Sequence, residues 1–452
     1  MRHFSHTFVV LLSSTFLMLG VWPTDALGGQ LAKLDIPTGA KWFGYSAATN
    51  GDYVVIGDVG FDAAISQTGG TAIVYRRDGD QWVQDSMLIP ETVAPQLQLY
   101  GYSVAIDQDL IVVGADFDMS VCNPVGDCGM GSANVFRHEP GGWVFEAKLF
   151  PSQPPPDDAR FGRYASVSGT RIVVSSMMET TSSGSYTGVF YIFRREGTNW
   201  VQEVRLSSED VASSATTSFN GKGLSLDGDR LLVGALDFSA GSGAEVQTAY
   251  VFRRVGTTWS EESRLVLPAG EGTGVGGITI VGPGSVALRG DLAVVAGLIG
   301  NAFVFRRDSD GWSFDGTLSN LDLVPGNVLY HPTSVSIDGS NVLVTTLSGN
   351  APSPASTFAV YSRRNTHWKR VSVLQPADDL VVSTNSDPVD MRNGVVVFGA
   401  RLSTGTFDFS TNTGYIFAAG TIPAVTTWGV VIMALMLLTA ATCIVRYKVS
   451  MS

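Results

Sequence analysis

The chain has 452 residues, of which 44% are hydrophobic and 15% charged, with 51 glycines and a formal net charge of −12 at pH 7. So apolar a composition with so little charge excludes global disorder, and the acidic balance excludes a nucleic-acid partner, because phosphate binding requires a basic surface. The three cysteines include no CxxC pair, so a zinc site of the usual spacing is not expected.

Residues 1–28 have the parts of a secretory signal: Arg2 with His3 and His6, an apolar run from Phe8 to Trp22, and small residues at Ala26 and Gly28 where a peptidase can cut. An uncleaved anchor is the rival reading, and both put the body outside the cytoplasm. There, Cys122 and Cys128, in one Gly-rich loop, form a local disulfide or stand as two free thiols.

From residue 29 the body repeats. Trp82, Trp143, Trp200, Trp259, Trp312 and Trp368 stand 53 to 61 residues apart. Each has an aromatic residue seven positions earlier (Tyr75, Phe136, Phe193, Phe252, Phe305, Tyr361) and a leucine six positions later (Leu88, Leu149, Leu206, Leu265, Leu318, Leu374). Such a period marks a propeller or another repeat array. Each repeat reads as a four-stranded antiparallel meander. In the fourth, Leu224–Asp227 is strand a, Arg230–Ala235 strand b, Ala249–Arg254 strand c and Trp259–Leu265 strand d, with Asp-Gly and Gly-Thr at the hairpin turns.

The frame fits seven times, but the seventh copy stops at strand c, Gly414–Phe417. Leu31–Leu34, before Pro37, reads as the missing strand d, donated from the N-terminus so that no blade edge stays unpaired. The expected fold is all-β: a monomeric seven-bladed β-propeller over 29–417, closed by an N-terminal strand.

Phe43-Gly-Tyr-Ser46, Tyr100-Gly-Tyr-Ser-Val104, Val113-Gly-Ala-Asp116, Val233-Gly-Ala235 and Phe398-Gly-Ala400 resemble FG-GAP repeats, the units of integrin α-type propellers and of many bacterial surface proteins. The resemblance implies a propeller used for adhesion or extracellular binding. Calcium is the cofactor it brings to mind, but the nearest acidic fragments, Asp308-Ser-Asp-Gly311 and Asp227-Gly-Asp229, fall in turns too short to wrap an ion, and no metal site is assigned.

Three histidines remain in the body, His138, His331 and His367, at repeat positions that do not converge, and no carboxylate pair stands out for glycoside hydrolysis. The expectation is a non-enzymatic protein with no catalytic residues. The alternative is a propeller enzyme acting on glycans or another extracellular polymer. Arg289-Gly-Asp291 spells an integrin-binding tripeptide but falls at an a to b turn, where turn chemistry explains it. The arginines of strand c, such as Arg194 and Arg195, are expected to sit against Trp200 and Glu203 across their own hairpin.

The a to b and c to d turns are short and share one face, while the long, varied b to c and d to a connections share the other. Function sits on variable loops, so Asp58, Asp62, Asp116, Asp118, Asp157, Asp158, Asp378 and Asp379 are the candidate binding residues for an extracellular protein or glycan.

Beyond the body come a short linker, 418–427, and an uncharged 18-residue run, Trp428–Val445, long enough to span a membrane as a helix. Arg446 and Lys448 in the tail 446–452 favour a cytoplasmic C-terminus. Ile422-Pro-Ala-Val-Thr-Thr-Trp-Gly429 resembles the IPTLxxWG-type sorting signals of bacterial envelope proteins through Ile422, Pro423, Trp428 and Gly429, and departs from them at Ala424 and Val425. A processed sorting signal and a plain single-pass anchor both fit.

Overall fold

The structure, a computed structural model, describes residues 26–34, 37, 42–60, 69–90, 99–120, 130–153, 159–180, 186–212, 217–238, 245–268, 285–297, 301–320, 323, 330–348, 356–374, 382–383, 389–402 and 413–419. Seven antiparallel sheets follow one another in chain order, each built from strands a to d. Blade 1 runs Phe43–Thr49, Tyr53–Asp58, Thr71–Asp78 and Gln81–Leu88, and blade 2 Tyr100–Asp107, Leu110–Ala115, Ser132–Glu139 and Gly142–Leu149. Blade 3 runs Phe161–Ser168, Arg171–Thr180, Tyr186–Glu196 and Asn199–Leu206, and blade 4 Thr217–Asp227, Arg230–Phe238, Glu245–Val255 and Thr258–Val266. Blade 5 runs Val286–Arg289, Leu292–Ala296, Asn301–Asp308 and Gly311–Ser319, and blade 6 Tyr330–Asp338, Asn341–Ser348, Ser356–Arg364 and His367–Leu374. Blade 7 has Val389–Arg392, Val395–Leu402 and Thr413–Ala418, and its fourth strand is Gln30–Leu34.

The burial of each strand follows from its place in the ring. Strand b lies between two neighbouring blades, so both its faces are apolar: every residue of Leu110–Ala115 is buried. Strand d forms the rim and faces water, and Gln81–Leu88 is largely exposed up to its terminal Leu88. A continuous apolar run therefore marks the sandwiched strand and a polar run the outer one. The core is a ring of inter-blade clusters, such as Val112, Val135, Phe161, Ile172 and Phe193 between blades 2 and 3.

Ring closure matches the expectation. Ala32 pairs with Ile416, Lys33 with Tyr415 and Leu34 with Gly414, and Thr413 Oγ1 donates to Leu34 O at 3.0 Å. One strand was not anticipated: Ala26–Gly28 pairs in parallel with Ser372–Leu374 on the rim of blade 6. It occupies the stretch read above as the signal's cleavage region. Blade 7 ends on the tight-turn face, where Ala419 N donates to Gly394 O at 2.8 Å.

The Phe-Gly and Gly-Ala phrases have a steric cause. Gly101 and Gly162 adopt φ of 84° and 91°, and their carbonyls press on the preceding blade. A Cβ on Gly57 would lie 2.1 Å from Gly101 O, one on Gly114 1.9 Å from Gly162 O, and one on Gly399 1.9 Å from Gly44 O. Ser46 Oγ donates to Gly101 O at 2.8 Å and Ser103 Oγ to Gly162 O at 2.9 Å. The two glycines let adjacent blades meet backbone to backbone, and the serine bonds the joint.

The strand c arginines follow the expectation in part: Arg76, Arg137, Arg253 and Arg306 meet Asp85, Glu146, Glu262 and Asp315 of their own hairpins at 3.5, 2.5, 3.7 and 3.4 Å, whereas Arg194 pairs with Glu196 and not with Glu203. Arg195 does face Trp200 directly and Arg194 faces Val201. The acid, however, is skipped in the ladder: register shifts on strand d leave Asp85, Glu146, Glu203, Glu262 and Asp315 as bulge residues. A bulge re-aims its side chain, and in blades 2, 4 and 5 it also reaches the next blade. Glu146 of blade 2 accepts from Arg195 Nε at 2.8 Å and Trp200 Nε1 at 2.7 Å in blade 3, while also holding its own Arg137 at 2.5 Å. Asp315 does the same for Arg363 and Trp368 of blade 6, both at 2.9 Å. Glu262 takes Trp312 Nε1 at 3.2 Å and its own Arg230 at 2.8 Å. Glu203 instead binds Arg171 of its own blade at 2.9 Å, with Arg254 at 3.9 Å. At the other two joints the bulge residue is apolar, Val371 in blade 6 and Leu31 in the closing strand.

Among the described residues no helix is long and apolar enough to cross a membrane. The expected signal residues 1–25, the span 428–445, the sorting residues Ile422, Pro423, Trp428 and Gly429, and Cys122 and Cys128 lie outside the described residues.

Candidate binding face

Each strand a begins on the long-loop face, and the Phe-Gly phrase determines what it presents there. The aromatic residue, Phe43, Tyr100 or Phe161, is fully buried between blades. After the glycine turns the chain, the next residue, Tyr45, Tyr102 or Arg163, is only half-buried at the inner edge of that face. Successive blades bring these equivalent positions side by side. Tyr45 and Tyr102 have ring centroids 4.8 Å apart, Tyr102 meets Tyr164 edge-on at 6.4 Å, and Trp42 extends the row 6.2 Å from Tyr45. The Arg163 guanidinium lies 4.6 Å from the centroid of the Tyr102 ring, and Arg160 lies 4.6 Å from that of Phe117. Such cation–π contacts contribute about 0.5–2 kcal/mol depending on desolvation.

Three of the candidate acids belong to the framework under this row. Asp116 is fully buried and accepts from Arg163 Nη1 at 2.7 Å, with Arg160 at 4.0 Å, so it anchors both cations. Asp118 is buried and accepts from Lys148 Nζ at 2.6 Å, Ser132 Oγ at 2.6 Å, and Ser120 N and Oγ at 2.9 and 2.6 Å. Burial pushes its carboxyl up, but the bonds and charge of Lys148 and the two serines outweigh this and hold it below its ordinary value. Asp58 is buried and accepts from Trp42 N at 2.7 Å and Gly60 N at 3.1 Å, which fixes the entry to blade 1. These carboxylates are turned inward as braces. Asp62, Asp157, Asp158, Asp378 and Asp379 lie outside the described residues.

Electrostatics preserve the row's character. Burial raises the Tyr102 phenol well above its ordinary value, helped by the neighbouring Tyr45 and Tyr164 hydroxyls, so it stays a neutral donor. For Arg163, burial acts against the charge, but Tyr102 and Asp116 more than restore it, and the guanidinium stays charged. Among the described residues no group of three or more His, Cys, Asp or Glu side chains converges as a metal site. His138 bonds Tyr53 Oη through Nε2 at 3.1 Å and packs on Trp143, and Asp291 of the Arg-Gly-Asp turn is ion-paired with Arg307. Both groups are committed to the tight-turn face.

The row was missed in the sequence because the tyrosines stood only as letters of a repeat. The available signal was the shared register of Tyr45, Tyr102 and Arg163, each following the positive-φ glycine.

No protein-family model matches the chain, and no curated protein matches it. Among solved structures, a chain of the Crystal Structure of Mitotic Checkpoint Complex is 12% identical with a TM-score of 0.50, over 88% of this chain and 98% of that one. At that identity the likeness establishes the propeller architecture alone.

Proposed function

We propose that this chain is a non-enzymatic surface protein of the FG-GAP type, exported to the outside of a bacterial envelope, which binds an extracellular protein or glycan on the long-loop face of its propeller. The observation that supports the reading is the row Trp42, Tyr45, Tyr102, Arg163 and Tyr164, since Trp, Tyr and Arg are the residues that dominate binding hot spots. Half-buried aromatic rings offer large contact area with little side-chain entropy left to lose, and the cation is already held by Asp116. The acidic loops then serve to shape and support the row.

Blade 7 leaves the ring on the tight-turn face, next to Gly394. With the anchor read at 428–445, a linker of about ten residues spans at most roughly 33 Å, so the tight turns face the membrane and the row faces outward. Calcium is not required by this reading.

The test is an array of matrix proteins and glycans probed with the purified body, wild type and Tyr102→Ala, beside a glycan-hydrolysis screen. Binding to a defined ligand that falls about ten-fold or more in the variant, consistent with loss of a hot-spot contact, supports the proposal. Undiminished binding, or turnover of an arrayed glycan, overturns it.

A further inference from the structure

The central channel is lined by the seven a strands. At their ends the ring is stitched blade to blade. Asp107 Oδ2 accepts from Gly169 N at 2.8 Å, Ser168 Oγ from Gly228 N at 3.0 Å, Asp227 Oδ2 from Gly290 N at 2.7 Å and Asp338 Oδ2 from Gly394 N at 2.7 Å. Two residues deeper, Ser166, Ser225 and Ser336 accept from Leu226 N, Leu288 N and Met391 N at 3.0–3.1 Å.

Blades 5 and 7 break the pattern. Where blades 2, 3, 4 and 6 end strand a in a stitching acid or hydroxyl, these two carry Arg289 and Arg392, and neither makes such a bond among the described residues. Both line the channel cavity of about 210 Å³ and the wider cavity of about 420 Å³ at its tight-turn mouth, so they form the neck between the two. Strand arginines elsewhere, among them Arg137, Arg171 and Arg230, are paired with acids. Arg289 and Arg392 have no ion pair among the described residues.

The mouth also carries Asp52, likewise without an ion pair among the described residues, and Asp107, whose second oxygen stitches Gly169. Tyr53 and Ile106 supply apolar wall, and Asn50, Gln108 and Asn393 supply amides. Below the neck, Asp390 replaces the channel serine of blade 7 and accepts from Thr49 N, Ser336 Oγ and Met391 N at 2.8–3.0 Å. Its bonding capacity is used within the ring, and burial pushes its carboxyl above the ordinary value despite the bonds from Thr49, Ser336 and Met391 and the more distant charge of Arg289.

Two guanidiniums and opposed carboxylates around one cavity, none bridged to another, are arranged for a guest that carries both charges. We propose that the tight-turn mouth of the channel binds a small zwitterion, an amino acid or short peptide, with its carboxylate accepting from Arg289 and Arg392 and its ammonium donating to Asp52 and Asp107. A planar guanidinium fork suits a carboxylate, and a cavity of about 420 Å³ lies in the range of small-ligand sites.

The test is calorimetric titration of the full propeller with L-alanyl-L-alanine, its C-terminal amide and its N-acetyl form. The free dipeptide is expected to bind, with each capped form at least about ten-fold weaker, as loss of one charge-assisted contact requires. Arg289→Ala and Arg392→Ala should weaken the free dipeptide comparably, at melting temperatures near wild type. No heat from the free dipeptide at millimolar concentration overturns the proposal, and so does equal affinity for any capped form. Because the capped ligands are tested on the unaltered protein, the result stands even if an arginine variant fails to fold.

Discussion

Glu146→Gln separates the clasp between blades 2 and 3 from ordinary surface charge. The wild-type carboxylate accepts from Arg137 Nε at 2.5 Å, Arg195 Nε and Nη2 at 2.8 and 3.0 Å, and Trp200 Nε1 at 2.7 Å. Its side chain is 10% exposed and those of the two arginines 22% and 21%, so the group is shielded enough for these bonds to count. Charge-assisted bonds contribute about 1.5–3 kcal/mol each, but not additively, and breaking a buried pair by removing one partner costs about 3–5 kcal/mol. The amide keeps the shape and one acceptor, so the loss should be about 3 kcal/mol by urea unfolding at pH 7. The matching control is Glu196→Gln: Glu196 pairs with Arg194 at 48% and 38% exposure and should cost at most about 1 kcal/mol.

The pH dependence supplies a second reading. Burial raises the Glu146 carboxyl, but the bonds from Arg195, Arg137 and Trp200 outweigh it and hold the group below its ordinary 4.5. A carboxylate depressed on folding contributes stability that is fully present above its unfolded value and lost as pH falls through the folded one. The gap between wild type and Glu146→Gln should therefore be widest near neutrality and narrow below about pH 4.5. Equal losses for Glu146→Gln and Glu196→Gln, or a gap that widens on acidification, would refute the cross-blade role.

Three further outcomes are expected. Gly114→Ala puts a Cβ 1.9 Å from Gly162 O and should cost about 3 kcal/mol, whereas Gly79→Ala, at φ 61° with nothing within 4 Å, should cost about 1 kcal/mol; chemical denaturation of the two variants checks this. Removing residues 30–34 exposes Thr413–Ala418 as an unpaired edge, and size-exclusion chromatography should show self-association or proteolysis should cut there first. Asp291→Ala should leave binding on the protein and glycan array unchanged, since its carboxylate is spent on Arg307, and should alter only stability, by at most about 1 kcal/mol.

Much of the architecture was legible because it repeats along the chain. Trp82 to Trp368 count the hairpins, and Leu31–Leu34 could be matched to a missing strand because both ends of the ring are written in the same register. What depends on a neighbouring blade was not legible. A bulge at Glu146 or Asp315 lets the acid reach the next blade as well as its own hairpin, and a shift of one residue leaves no trace in composition. Asp116 and Asp118 read as acidic loop residues, since sequence position carries no information about the depth at which Arg163 or Lys148 meets them. The row of Tyr45, Tyr102 and Arg163 exists only once the blades are set around an axis.

The uneven distribution of the clasps has a consequence for how the ring is made. A strand d acid of blades 2 and 5 awaits the arginine and tryptophan of the following blade, so those joints can zip as the chain lengthens. Val371 and Leu31 leave the joints on either side of blade 7 without that fastening, and they hold by apolar packing, by the channel-side bonds of Ser336, Asp338 and Asp390, and by a strand made at the start of synthesis. Thr413 and Leu34 are separated by 379 residues, so the pairing of these two strands carries a high loop-closure cost and forms late. Until then the first strand is unpaired and the last blade has an open edge. Two growing chains at high local concentration can exchange these strands and close as a dimer.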